Sequence, residues 1–207
     1  MDNPYWPVAG LRLRVGEVAL RPMRETDLGP LADIHPPDYE TDPRLASFTD
    51  DPALRRGTAL HQAYWRYLGS WRPESWRLPF VVEVTGQPVG MQDLEAADFR
   101  VRRTVETASW LAVDQRGRGV GKAMRLAVLA LAFDGLGAEV AESGAWHHNA
   151  ASLGVSRALG YVDNGVARHV HDGRCDDLVR MRLTRDNWRT GHGVSIAGLD
   201  GCRHFFG

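Results

Sequence analysis

One segment limits the fold more than any other: a strand-like run through Trp110 and Leu111 enters a turn holding Gly117, Gly119 and Gly121, and a helix begins inside that turn. Val120, Met124, Ala127, Val128 and Leu131 recur at helical spacing and so share one face, and Gly135 and Gly137 close the helix. Glycine lets backbone approach a ligand closely and takes up φ > 0 without strain. The first turn of a helix offers unpaired N–H groups at the positive end of its dipole. Strand, glycine turn and helix in that order make an anion site, best suited to phosphate.

Spacing narrows the phosphate ligand. A P-loop needs glycine where Arg116 stands and Ser or Thr where Ala123 stands. A dinucleotide fingerprint starting at Gly117 needs glycine in place of Lys122. What the chain has is R-x-x-G-x-G, as Arg116, Gly119 and Gly121.

Around this segment the pattern is strands first, then a strand–helix succession. Leu11 to Val15 and Val18 to Arg21 read as two strands about a Gly16-Glu17 turn, or as one bent strand. Asp27 is placed to cap a short helix that His35-Pro36-Pro37 ends, and residues 38 to 51 read as acidic and irregular. Asp51 and Pro52 open a helix toward Trp71. Phe80 to Val84 and Pro88 to Leu94 form a hairpin across Thr85-Gly86-Gln87. Thr104 to Val113, Ala138 to Ser143 and Leu178 to Leu183 are further strands, and Asn149 to Leu159 is a helix. From Thr184 onward the pattern gives one more helical turn and a glycine-rich tail with Phe205 and Phe206. This succession predicts a mixed, mostly antiparallel sheet with helices on both faces and no domain boundary.

Composition excludes several classes. A net charge of −1 without a basic block argues against a nucleic-acid surface. Cys175 and Cys202 are too few for a disulfide framework and suit a reducing cytosol. The first fifteen residues lack a signal-peptide core, and no apolar run is long enough to span a bilayer, so a cytoplasmic protein without a membrane partner is expected.

The glycine turn resembles the acyl-CoA pyrophosphate loop of the GNAT superfamily of N-acyltransferases, Q/R-x-x-G-x-G/A, and is most similar to the RimJ/RimL-like ribosomal-protein branch. There a strand with Glu-x-x-x-Trp-Leu enters the loop, as Glu106, Trp110 and Leu111 do here. Asn149, Ser152, Gly160 and Tyr161 repeat the family's Asn-x-x-Ser-x(7)-Gly-aromatic spacing. The resemblance covers residues 10 to 185 or so. It implies an α/β (α+β) GNAT fold of about seven strands, one domain over residues 1–207, and a tail of undefined structure over 184–207.

The resemblance also implies roles. Backbone amides of Arg118, Gly119, Gly121 and Lys122, with Val120 between them and Arg116 before them, would cradle the CoA pyrophosphate. Leu111, Ala112 and Val113 would pair with the pantetheine arm, and Asn149 would hold pantetheine, cap its own helix, or both. Attack on a thioester needs a neutral amine, and amines have pKa values near ~8 to ~10.4, so a base helps at neutral pH. Glu106 stands where related enzymes place that carboxylate, with Asp93 and Glu95 as competitors. Many GNAT enzymes place a tyrosine seven residues beyond the Asn to meet the departing thiolate. That position is Ser156 here, and Ser152 is the leading hydroxyl instead.

The acceptor half is less specified. Tyr64, Trp65, Tyr67, Trp71 and Trp76, interleaved with Arg66, Arg72 and Arg77, read first as buried packing and second as an acceptor wall. His147 and His148 lack metal-ligand spacing to a third group, so no metal is expected. The expected reaction is transfer from acetyl-CoA to an amine on a small molecule, peptide or protein amino terminus. One alternative is a succinyl-CoA donor recognised by Arg66, Arg72 or Arg77, and another is a non-catalytic acyl-CoA-binding module. A homo-oligomer is compatible with the sequence.

Overall fold

The computed structural model describes residues 3–39, 42, 44–171, 173–189, 191 and 193–207, with the His171 side chain set aside. Met1 and Asp2, and positions 40, 41 and 43 of the stretch read as irregular, therefore lie outside the described residues. Nine strands form one sheet: β1 (Arg12–Val15), β2 (Val18–Pro22), β3 (Trp76–Val84), β4 (Gln87–Ala96), β5 (Thr104–Leu111), β6 (Val140–Trp146), β7 (Val162–His171), β8 (Arg174–Thr184) and β9 (Val194–Ala197). Their order is β7-β8-β6-β5-β4-β3-β2-β1-β9. The mixed, mostly antiparallel class is as expected. The two strands beyond seven are β7 and β9, which occupy the two edges.

Local sequence chemistry sets most element ends. The β3–β4 hairpin turns on Thr85 and Gly86, both with positive φ (50° and 80°), the geometry that continues strand twist through a two-residue loop. Helix α2 (Pro52–Gly69) starts at Asp51, whose carboxylate accepts from the N–H of Ala53 and Leu54. Helix α1 (Leu28–Asp33) does not use Asp27 in that way. That carboxylate turns back to the Arg24 N–H and forms two bonds to the Arg21 guanidinium, which also meets Glu83 on β3.

Burial opposes the Asp27 charge, but the Arg21 and Arg24 contacts outweigh it and hold this carboxyl below its ordinary range. A depressed carboxyl pKa adds stability that is present at neutral pH and lost as pH falls through the folded value. Asp27→Asn is therefore expected to lower the melting temperature at pH 7, by the equivalent of about 1–3 kcal/mol. The gap to the unmodified protein should narrow as pH drops below ~4, which melts at both pH values would check.

Two cores flank the sheet. One face carries α4 (Val120–Ala130, continued by a π turn over Leu131–Gly135) and α5 (Ala150–Ala158), with Phe80, Leu94, Val105, Val128 and Phe133 buried beneath. The five residues expected to share the α4 face are all buried. The other face carries α1 and α2 over Val81, Met91 and Trp110. Short helices α3 (Phe99–Arg102) and α6 (Leu199–Cys202) close the ends. The aromatic cluster is largely structural, Trp65 being the exposed exception: Trp71 and Trp76 stack on each other and meet Phe206 edge-to-face, and Trp71 donates its indole N–H to the Phe205 carbonyl. No helix of the described residues is long and apolar enough to cross a membrane.

One pairing places the site. β5 and β6 are parallel and pair only over Thr104–Glu106 and Val140–Glu142, while β5 follows β4, and β6 follows β8, along most of their lengths. Beyond Glu106 and Glu142 the sheet therefore opens into a gap.

Candidate active site

The glycine turn lies at the mouth of that gap. Gly117 and Gly119 have φ of 74° and 82°, and Gly119 is the N-cap of α4. The N–H groups of Val120, Gly121 and Lys122 precede the first α4 bond, from Ala123 N–H to the Gly119 carbonyl at 3.1 Å. Arg118, Gly119 and Lys122 are exposed, while the Val120 side chain is buried and anchors the turn. Arg116 serves the loop differently from an anion ligand: its guanidinium makes two bonds of 2.7 Å to Asp38, beyond α1. Those bonds hold the Asp38 carboxyl below its usual range.

The free edge of β5 lines the gap. Ala112 N–H donates to the Val89 carbonyl on β4, so by alternation the N–H groups of Leu111 and Val113 point the other way, along the opening. The approach of the two strands here needs glycine at position 90, where a Cβ on Gly90 would lie 2.4 Å from the Trp110 carbonyl oxygen.

Helix α5 forms the far wall. Asn149 caps it by accepting from the Ser152 N–H at 3.0 Å, as one of its two expected roles required. Ser152 is half-buried on the first turn, whereas Ser156 is 2% exposed and faces the core. Of the two serines, only Ser152 is partly exposed.

The second half of the site lies on the α1/α2 face. Sheet register puts Arg77, Glu95, Glu106 and Glu142 in one row across four strands. A cleft of about 300 Å³ opens there, lined by Arg44, Arg77, Glu95, Arg102, Thr104 and Glu106. Glu95 and Glu106 are direct cross-strand neighbours, an arrangement of like charges that costs stability. Burial pushes the Glu95 carboxyl up, Arg77 pulls it down, and Asp93 and Glu106 push it further up, with a raised value as the outcome. Asp93, fully buried, is taken up by the Arg77 Nε at 2.9 Å and is no open base. Glu106 is exposed and enters no ion pair among the described residues.

Of the three arginines expected to read a donor carboxylate, two are otherwise engaged. Arg66 pairs with Asp42, Arg77 lies between Asp93 and Glu95 over the Tyr67 ring, and Arg72 is exposed. His147 and His148 do acquire the third group their spacing lacked: Asp176 on β8 approaches both rings, at 2.9 and 3.5 Å. On the α4 face, Arg125 is buried at the start of the gap, bonded to Ser109 on β5 and Ser143 on β6. No motif points to Arg125, although it is the one charged residue from Ala123 to Phe133.

The family described as acetyltransferase (GNAT) domain matches residues 17–162, most of the chain. The chain belongs to the GNAT acetyltransferase family. With that family go acyl-CoA-dependent N-acyltransferase chemistry and a CoA-binding site. Among solved structures, this GNAT chain is similar to Mycobacterium smegmatis RimJ in complex with CoA-disulfide, at TM-score 0.75 and 21% identity, over 89% of this chain and 92% of that one. It is also similar to Vibrio cholerae spermidine N-acetyltransferase in complex with CoA and spermine, at TM-score 0.66 and 17% identity, over 83% and 97%. At these identities the likeness is one of fold.

Proposed function

We propose that this GNAT protein passes an acyl group from acyl-CoA directly to a primary amine across the β5–β6 gap. The observation that carries the proposal is the meeting of two half-sites on one strand. β5 leads at its end to the α4 amides and carries Glu106 midway, on the opposite face from α4. The pyrophosphate would rest on the N–H groups of Arg118 to Lys122, and the pantetheine amides on Leu111 and Val113. CoA in the two similar structures supports that donor.

Glu106, directly or through a water, takes a proton from the amine. The nitrogen then bonds to the thioester carbon, the C–S bond breaks with its electron pair on sulfur, and the proton that the nitrogen loses in becoming an amide passes to the thiolate. Ser152 is the open hydroxyl on the α5 wall to stabilise that sulfur. The acceptor would be an amine of a small molecule, a peptide or a protein amino terminus, entering by the Glu95–Glu106 cleft. Acetyl is the donor group that the family description favours, and one observation, the buried Arg125, favours a dicarboxylic acyl such as succinyl instead.

Incubation with acetyl-CoA or succinyl-CoA and a panel of amines, reading free thiol and product mass, tests the proposal. Amine-dependent thiol release is expected. An acyl-CoA retained without turnover on any amine would leave a binding module and overturn the enzymatic reading.

A further inference from the structure

We infer that Arg125 is the specificity residue of the donor site and selects an acyl-CoA whose acyl group ends in a carboxylate. The inference rests on the donor path proposed above, from the α4 amides inward along β5.

Arg125 is 4% exposed and projects from α4 under the opening gap. Its Nη1 donates to Ser143 Oγ at 3.1 Å and its Nη2 to Ser109 Oγ at 3.3 Å, so the guanidinium spans the two strands just past their last paired residues. Its Nε is buried and has no hydrogen-bond partner among the described residues. The Tyr161 hydroxyl, beside the same group and Thr107, is also buried. Gln92, across from Ser109 on β4, and Thr107 complete the polar surroundings.

Every one of these neighbours is neutral. Glu95, Glu106 and Glu142 sit in the row on the opposite face of the sheet. Arginine stays charged in proteins, and a buried charge is costly unless it is paired. Arg21 and Arg77, both largely buried, each hold a carboxylate. At Arg125 the protein supplies the cation and the hydroxyl dipoles and leaves the anion to come from elsewhere.

Position identifies where that anion comes from. Arg125 is four residues after Gly121, about 6 Å deeper along α4 than the phosphate cradle at 1.5 Å per residue. It touches Ser109, the next residue of β5 whose N–H faces the gap after Val113 and Leu111. A donor laid along that edge brings its acyl end to the guanidinium. An acetyl group offers no charge there. A succinyl carboxylate accepts two N–H bonds in the fork geometry that arginine favours. During transfer the amine nitrogen bonds to the thioester carbon and sulfur leaves with the C–S electron pair, while the distal carboxylate stays on Arg125 unchanged. The product is an amide with a free carboxylate.

The test is calorimetric binding of CoA, acetyl-CoA and succinyl-CoA to the intact protein and to Arg125→Met and Arg125→Gln. The unmodified protein is expected to prefer succinyl-CoA to acetyl-CoA by about ten- to hundredfold, the span of a charged hydrogen-bonded contact. Both variants should lose that preference and keep their affinity for CoA itself. Equal affinity for the two donors in the unmodified protein overturns the inference, even if neither variant folds. So does a variant that keeps the preference. Failure of all three ligands to bind the unmodified protein would instead strike at the donor site as a whole.

Discussion

Replacing Gly119 and Gly121 together by leucine is expected to abolish CoA binding while leaving the protein folded. The two positions act for different reasons. At Gly119 the backbone has φ of 82°, a region that costs a side-chain-bearing residue about 1–3 kcal/mol. A Cβ there meets nothing within 4 Å, so the effect is on the turn that aims the amides and on the space in front of them. At Gly121 a Cβ would make only ordinary contacts, 3.7 Å to Leu111 and 3.9 Å to Val155. Nothing in the fold therefore demands glycine at 121. Leu111 and Val155 are the two walls of the gap mouth, and a longer side chain projecting between them fills the donor path. Helix α4 is held by Val120, Met124, Ala127 and Val128, which the substitutions do not touch. The melting temperature should drop by about 2–12 °C, since 1 kcal/mol shifts a domain of this size by about 2–4 °C. Calorimetry that finds unchanged CoA affinity in a folded double variant would remove the turn from the donor site.

Glu106→Gln should lower turnover by about one to three orders of magnitude with little change in CoA affinity. Glu106 is exposed and lies on the face away from α4, so the donor contacts should survive its loss. Its neighbour Glu95 does not replace it, because the Arg77 guanidinium already holds Glu95 at 3.0 Å. The deficit should shrink as pH rises toward the amine pKa, where more acceptor is neutral before it binds. A pH–rate profile for both proteins distinguishes this from damage to the fold, which would lower the rate by the same factor at every pH. Full activity of the glutamine variant at pH 7 would take Glu106 out of the mechanism.

Much of this was legible in the chain itself, because it depends on interactions within a few residues. The α4 face follows from a 3.6-residue period, the Thr85-Gly86 turn from residues that tolerate positive φ, and the caps at Asp51 and Asn149 from short acceptors next to free N–H groups. The glycine spacing that names the candidate phosphate turn is local in the same sense. β7 and β9 were not legible. Val162, Val166 and Val170 of β7 are exposed at a sheet edge, and β9 is four residues whose partner, β1, lies at the other end of the sequence. β7 buries no face that would impose a period on its residues, and the half-buried alternation of β9 is too short to show one.

The sequence by itself identified the family and named a candidate donor loop and a candidate base. Only the tertiary structure decided which charges are spent on structure and which face the gap. Arg116 and Asp38 are 78 residues apart, and Arg77 and Asp93 meet through the register of β3 on β4. Such pairings are set by how sheets and helices stack, and the spacing of a charged residue along the chain carries no record of its partner. Arg125 is the plainest case: a cation on an apolar helix in the sequence, it becomes in the fold a buried charge bridging two diverging strands without a carboxylate of its own.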